Sequence, residues 1–207
     1  MPDLNKIYLF RMTHIENIPH ILQNGITHST SVNTNPDFVP IGDGSLISTR
    51  NNFLLNNGRY LGEYIPFYFG VRTPMLYIVQ NGFNMVSLTS AENIVYCVSS
   101  VQKIIDQQLD FVFTDGHAVD GFTTQYNKTD IQNIETTLDW TAINAKYWKD
   151  ENDLDKKRRK EAEFLVLGDI AIDAVLGFLV FNENARNRTI AFGADVTKVH
   201  IKSNFYF

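Results

Sequence analysis

The chain has 207 residues, 44% hydrophobic and 20% charged, with a formal net charge of -5, which suits one globular domain with room for a small insertion. An acidic body argues against a generic polyanion binder, and no apolar run reaches membrane-spanning length. The single cysteine, Cys97, cannot form an internal disulfide, and its apolar setting IVYCV predicts a buried thiol.

With no cationic start followed by a long apolar stretch at MPDLNKIYLF, a cytoplasmic location is expected. Ile7 to Met12 reads as a strand that ends at Thr13-His14. Asn17 can cap a helix with Pro19 in its early turn and an apolar stripe of Ile18, Ile21 and Leu22, before Gly25 stops it. Starting that helix at Thr13, with Glu16 as box partner, puts Pro19 too deep. His14 therefore stands in a strand-to-helix corner, where it can face a ligand or be tied into a local turn. From Thr27 to Gly62 the residues are those of loops, over a length unusual for a passive connection, so a site or lid is expected. Arg50 lies in this stretch, with a salt bridge as its ordinary role.

Tyr64 to Tyr77, YIPFYFGVRTPMLY, reads as two short strands around a Gly-Val-Arg-Thr-Pro turn, with Arg72 at the bend. Many of its aromatics belong to a core, although Phe, Tyr and Arg beside a turn can also stack a base, and Met75 can fill a pocket wall. Ile94 to Ser99 is a buried strand, Ser100 to Leu109 has helical spacing, and Phe111 to Phe113 is another strand that ends in Thr-Asp-Gly-His. His117 is thus a second candidate, with turn stabilisation as the alternative.

Thr123 to Lys160 is polar, anchored by Ile134, Leu138, Trp140, Ile143 and Trp148, and suits a partly mobile substrate-selecting loop. Lys156 to Lys160 is a run of five basic residues, able to hold a phosphate backbone or simply to be a solvated loop. It leads into AEFLVL, where alternation puts Glu161, Glu163, Leu165 and Leu167 on one face. Leu165 and Leu167 need a core, so Glu163 is drawn toward it, and a carboxylate there is a candidate for chemistry. Ala171 to Phe181 reads as one or two strands, Arg186 to Phe192 as another, and Lys198 to Phe207 as a terminal strand. GxxxxGK[ST], GxGxxG after the first strand, HExxH, paired CxxC and GxSxG are all absent, which lowers the weight of P-loop, Rossmann and zinc chemistry.

The segments IYLFRMTHIENIPHILQNGI, LGEYIPFYFGVRTPMLY, FTDGHA, Asp139-Trp140, AEFLV and VHIKSNFYF, collinear over nearly the whole chain, resemble the DarT family of toxin ADP-ribosyltransferases, which modify DNA bases using NAD. The resemblance implies a single transferase domain over 1–207. Its expected fold is α+β, with two small antiparallel sheets packed face to face, flanking helices and an NAD cleft between them. Glu163 becomes the catalytic glutamate and Arg50 the arginine at the pyrophosphate or reacting centre, with Arg59 as the competing assignment. Thr13, His14, Ile15 and Asn17 become the NAD-binding corner. Arg72, Met75 and His117 would lie near the target nucleotide, and Lys156, Lys157, Arg158 and Arg159 would meet DNA phosphates. NAD is the implied co-substrate, with no metal. Single-stranded DNA and an antitoxin that removes ADP-ribose are the implied partners.

Breaking the nicotinamide–ribose bond leaves an oxocarbenium-like centre that a carboxylate can stabilise. The base is expected to be guanine or thymine, with a leaning toward guanine. Two rivals stand beside this reading: transfer to RNA or protein, and a non-catalytic module that binds NAD or single strands.

Overall fold

Alternation along YLFRMTH buries Leu9 and Thr13, and this first strand becomes the spine of the molecule. The computed structural model describes residues 2–42, 44–84 and 86–207, without the side chains of residues 45–47. Its strands are β1 (Tyr8–His14), β2 (Tyr64–Tyr68), β3 (Ile94–Ser100), β4 (Asp110–Thr114), β5 (Gln125–Tyr126), β6 (Glu163–Leu167), β7 (Gly177–Val180) and β8 (Val199–Ile201). They form one sheet in the order β5-β4-β6-β2-β1-β3-β7-β8. Every pairing is antiparallel except the parallel β7–β8 edge.

The two face-to-face sheets expected above are therefore corrected, among the described residues, to one continuous sheet of eight strands. The seam between β1 and β2 is what makes it nearly two. β1 pairs with β3 along its whole length, from Tyr8↔Ser100 to His14↔Ile94, whereas among the described residues it meets β2 at Phe10↔Tyr68 alone. A strand residue's N–H and C=O face the same neighbour, and Pro66 has no N–H to give. Its carbonyl accepts instead from Arg11 Nη1 at 3.0 Å. The two strands part there, and the gap becomes a cavity.

Among the described residues eight helices flank the sheet: α1 (Ile18–Asn24), α2 (Gly44–Asn51), α3 (Pro74–Asn81), α4 (Val101–Asp106), α5 (Ile134–Thr137), α6 (Trp140–Asn144), α7 (Lys156–Lys160) and α8 (Glu183–Ala191). Four expectations change. The loop expected at 27–62 contains α2. The second strand expected before Tyr77 is α3, because Thr73 caps it through Leu76 N and Pro74 fits its first turn. The strand expected at Arg186 to Phe192 is instead helix up to Ala191, because Asn182 caps α8 through Ala185 N at 3.0 Å. The terminal segment keeps only β8 as strand before a 3-10 turn at Ser203–Phe205. Cys97 is buried as expected. Among the described residues no helix is long and apolar enough to cross a membrane.

Candidate active site

Glu163 opens β6 beside Tyr68 of β2. Neighbouring apolar positions Phe164, Leu165 and Val166 are fully buried, and this burial carries the carboxylate inward until it is 0% exposed. An unpaired carboxylate at that depth is prohibitively costly. Arg50, at the end of α2, meets it as a fork, Nη1 to Oε1 at 3.0 Å and Nη2 to Oε2 at 2.6 Å. The Ala118 N–H donates to Oε1 at 3.0 Å, and His117 Nε2 stands 4.0 Å from the same oxygen. Burial pushes the Glu163 pKa up, but the Arg50 charge and hydrogen bonds, His117 and the Ala118 N–H outweigh it, so the carboxyl titrates below its ordinary 4.5. Burial likewise lowers His117, with Glu163 opposing, and the net direction is down from 6.5. The site therefore holds an ionised carboxylate next to a neutral imidazole at pH 7.

These groups face a cavity of about 450 Å³ lined among others by Arg11, Thr13, Asn17, Phe38, Tyr68, Met75, Arg50, His117 and Glu163, a volume in the range of small-molecule and cofactor sites. Its far wall is the segment 34–42, docked by one amide. Asn17 Oδ1 accepts from Val39 N at 2.9 Å, and Asn17 Nδ2 donates to Val39 O at 2.8 Å and to Thr13 Oγ1 at 3.0 Å. Asn17 is thus committed to that wall and makes no side-chain cap on α1. The cap in this corner belongs to His14, whose Nδ1 accepts from Glu16 N at 3.3 Å.

Of the residues singled out in the sequence, the cavity gathers Glu163, Arg50, His117, Met75, Thr13 and Asn17. His14 and Ile15 are outside its lining: the imidazole Nδ1 accepts within the turn, and Ile15 is fully buried in the core. Arg72 is also elsewhere. Its Nη1 donates to the carbonyls of Asn204 and Tyr206, and its guanidinium lies 4.2 Å from the Phe207 ring centroid, so it fastens the C-terminus. Arg59 pairs with Glu63 at 3.0 Å, which leaves Arg50 as the arginine on Glu163.

The basic run is corrected most. It is a helix, not a solvated loop, and its charges are spent internally. Lys156 pairs with Asp150, Lys157 with Glu161, Arg158 with Asp115 and Asp155, and Arg159 with Asp139, Asp153 and Asp155. Lys160 is 1% exposed and donates to the carbonyls of Ala145 (2.6 Å), Ile143 (3.1 Å) and Val71 (3.4 Å). The segment before α7, read as a mobile loop, is cross-linked by these pairs. Glu161 is buried beside Lys157, and burial pushes its pKa up to about 7.

Arg11 escaped sequence reasoning. It lines the cavity and, among the described residues, forms no ion pair; its Nη1 bond to Pro66 O is a neutral contact. Burial lowers its pKa, and so does the nearby Arg50. With Arg50 balanced by Glu163, Arg11 leaves this site one positive charge in excess. The signal was available: a cation in the middle of an apolar strand, at a period-two position with Thr13.

Comparison with known proteins bears on this geometry. The profile of the family described as "ssDNA thymidine ADP-ribosyltransferase, DarT" matches residues 10–207. A DNA ADP-ribosyl transferase of Escherichia coli O127:H6 is 30% identical over 208 residues, covering 98% of this chain and 94% of that protein. A transferase–glycohydrolase fusion protein of Thermosipho africanus is 31% identical over 160 residues, 76% of this chain and 38% of that longer protein. The DarT of Thermus sp. 2.9 superposes with a TM-score of 0.85 in its complex with ADP-ribosylated ssDNA, at 27% identity, with 100% of this chain and 98% of that chain covered. In its complex with NAD+ the TM-score is 0.80, again at 27% identity, with 100% of this chain and 99% of that chain covered.

Proposed function

The chain belongs to the DarT family of ssDNA ADP-ribosyltransferases, and from that premise we propose that it transfers ADP-ribose from NAD to thymine in single-stranded DNA, with residues 1–207 acting as one catalytic domain. The observation that carries this reading is the wholly buried Glu163 carboxylate, held by the Arg50 fork and the Ala118 N–H at the wall of the cavity. The bond between ribose C1′ and the nicotinamide nitrogen breaks, and its electron pair leaves with nicotinamide. Positive charge then develops on the ribose, where an oriented anion in a site of low polarity stabilises it most. Glu163 has that role. Arg50 keeps the carboxylate ionised and aimed.

A base nitrogen then bonds to C1′ and gives up its proton. His117, neutral and 4.0 Å from Glu163, is placed to take that proton. The carboxylate, titrating below its ordinary value, suits charge stabilisation better than proton uptake. Because Arg50 is committed to Glu163, the diphosphate needs another cation, and Arg11 supplies it. Thr13 and Asn17 act by shaping the wall that receives the dinucleotide, and Met75 by packing against it. The reaction as written draws on no metal, and among the described residues no cluster suited to one occurs.

The earlier leaning toward guanine finds no support in the family's description, which names thymidine. A partner that strips ADP-ribose from DNA, the antitoxin to this toxin, is supported by the fusion of transferase and glycohydrolase in the Thermosipho relative. The cytoplasm, where NAD and DNA meet, is the proposed site of action. The test is to incubate the protein with NAD and single-stranded oligonucleotides that differ in one base, then weigh the products. One added ADP-ribose on thymine-containing strands alone is expected; modification of thymine-free strands, or of none, overturns the assignment of acceptor.

A further inference from the structure

The pairing of β4 with β6 stops at Phe113↔Phe164, one step short of Thr114 and Glu163. At that step a side chain takes over from the backbone ladder. Thr114, 0% exposed at the end of β4, accepts from Glu163 N at 3.1 Å and donates through Oγ1 to Gly116 O at 2.7 Å. The Glu163 carbonyl, at 3.4 Å, is the more distant acceptor for the same proton. One hydroxyl therefore joins the backbone of the acid to the turn that follows β4, and without it both groups lose a buried hydrogen bond.

That turn carries two of the groups that meet the Glu163 carboxylate. Ala118 N donates to Oε1 at 3.0 Å, and His117 Nε2 stands 4.0 Å from the same oxygen. Beyond Gly116 the turn has anchors of its own. His117 N donates to Arg158 O at 3.0 Å, and the His117 carbonyl accepts from Asp120 N at 2.9 Å and from Thr123 Oγ1 at 2.8 Å. Arg158 Nη1 adds bonds to Asp115 Oδ1 at 2.8 Å and Thr123 Oγ1 at 3.3 Å. These bonds fasten the turn to itself and to α7. What fastens it to the backbone of Glu163 is Thr114.

Resting on the transferase reading above, we propose that Thr114 is a positioning residue for the reaction, setting the Glu163 carboxylate, the Ala118 N–H and the His117 imidazole in one geometry. Charge stabilisation and proton uptake both depend on close placement of the groups that perform them. Binding of the dinucleotide draws on Arg11, Asn17 and the rest of the cavity wall, which Thr114 does not hold. A hydroxyl that merely closed a turn would affect stability and leave the chemical step alone. Thr114 is expected to act on kcat.

The test compares Thr114→Val, which keeps the branched shape and removes the hydroxyl, with Thr114→Ser, which keeps the hydroxyl. Single-turnover rate, kcat and KM for NAD are measured with a thymine-containing oligonucleotide, alongside calorimetric NAD affinity and melting temperature, in the wild-type and His117→Ala backgrounds. Thr114→Val is expected to lower kcat roughly 10- to 100-fold, with NAD affinity and KM within about threefold of wild type. Thr114→Ser should restore most of the rate. Because Thr114 acts partly through His117, the two losses should combine to less than their product. If Thr114→Val does not melt cooperatively, Thr114→Ala against Thr114→Ser makes the same comparison of a hydroxyl absent and present. A hydroxyl-free variant with kcat near wild type, a serine variant as slow as the valine, or losses that multiply in full overturns the positioning role and leaves the transferase reading standing. A wild type that modifies no oligonucleotide overturns both.

Discussion

The helix Lys156–Lys160 and the cavity around Glu163 lie three residues apart in sequence and use charge in opposite ways. The helix carries the densest positive charge in the chain, yet each of its side chains has an internal partner. Among the described residues the cavity lining has two arginines, Arg50, matched by Glu163, and Arg11, matched by no carboxylate. A local count of charges therefore misleads about binding. What points to an anionic ligand is a half-buried cation on the cavity wall that no carboxylate among the described residues meets, its pKa lowered by burial and by Arg50.

The severest way to break that contrast is Arg50→Ala. It strands the Glu163 carboxylate in the interior, so transfer should fall by about 10²-fold or more, and unfolding in denaturant should show a loss of about 3–5 kcal/mol. Activity within a few-fold of wild type would contradict the fork's role. Next in size is Arg11→Gln, for which calorimetry should find affinity for NAD and for ADP-ribose weakened roughly 10- to 100-fold. An unaltered affinity reduces Arg11 to a brace on Pro66.

Two glutamates on either side of Ala162 sharpen the contrast further. Glu163 has a folded pKa below 4.5, so its contribution to stability is complete above that value and is lost as pH falls through the depressed one. Glu161 has a folded pKa pushed up to about 7 by burial, so its contribution is present below 4.5 and is lost as pH rises through about 7. Glu161→Gln should accordingly stabilise the protein at pH 8, by about 2 kcal/mol, with the gain vanishing below pH 4.5 in chemical denaturation. The smallest effect belongs to Lys157→Ala. Its pair with Glu161 spans 3.6 Å and its side chain is 60% exposed, so DNA affinity and its salt slope should stay within twofold; a slope reduced by a full charge would return the helix to the DNA surface.

Much of the central sheet was legible because its strands are short apolar runs with plain stops: β3 ends at the Ser100 cap of α4, and β4 ends at the Thr-Asp-Gly turn. α8 was not, since Thr189, Ile190 and Phe192 favour a strand locally, while the deciding cap, Asn182, precedes them by seven residues or more. The internal use of the basic run was partly legible, for Asp155 stands three and four residues before Arg158 and Arg159, the spacing of neighbours on a helix. Its partners Asp115 and Asp139 are distant in the chain and needed the fold. Glu163 could be suspected from an acid in an apolar strand. Arg50 and His117 reach it from 113 and 46 residues away, so resemblance rather than spacing brought them together. Resemblance also gave His14 and Arg72 their expected places at NAD and the target nucleotide, while in the structure His14 Nδ1 accepts from Glu16 N and Arg72 donates to the Tyr206 carbonyl.

The central claim is that one buried carboxylate performs the transfer. Glu163→Gln keeps the shape of the side chain and removes its charge, so labelled NAD and a thymine-containing strand test it directly. The account predicts transfer down by about 10³-fold with NAD affinity retained; labelling of DNA by that variant at a rate near wild type would contradict it.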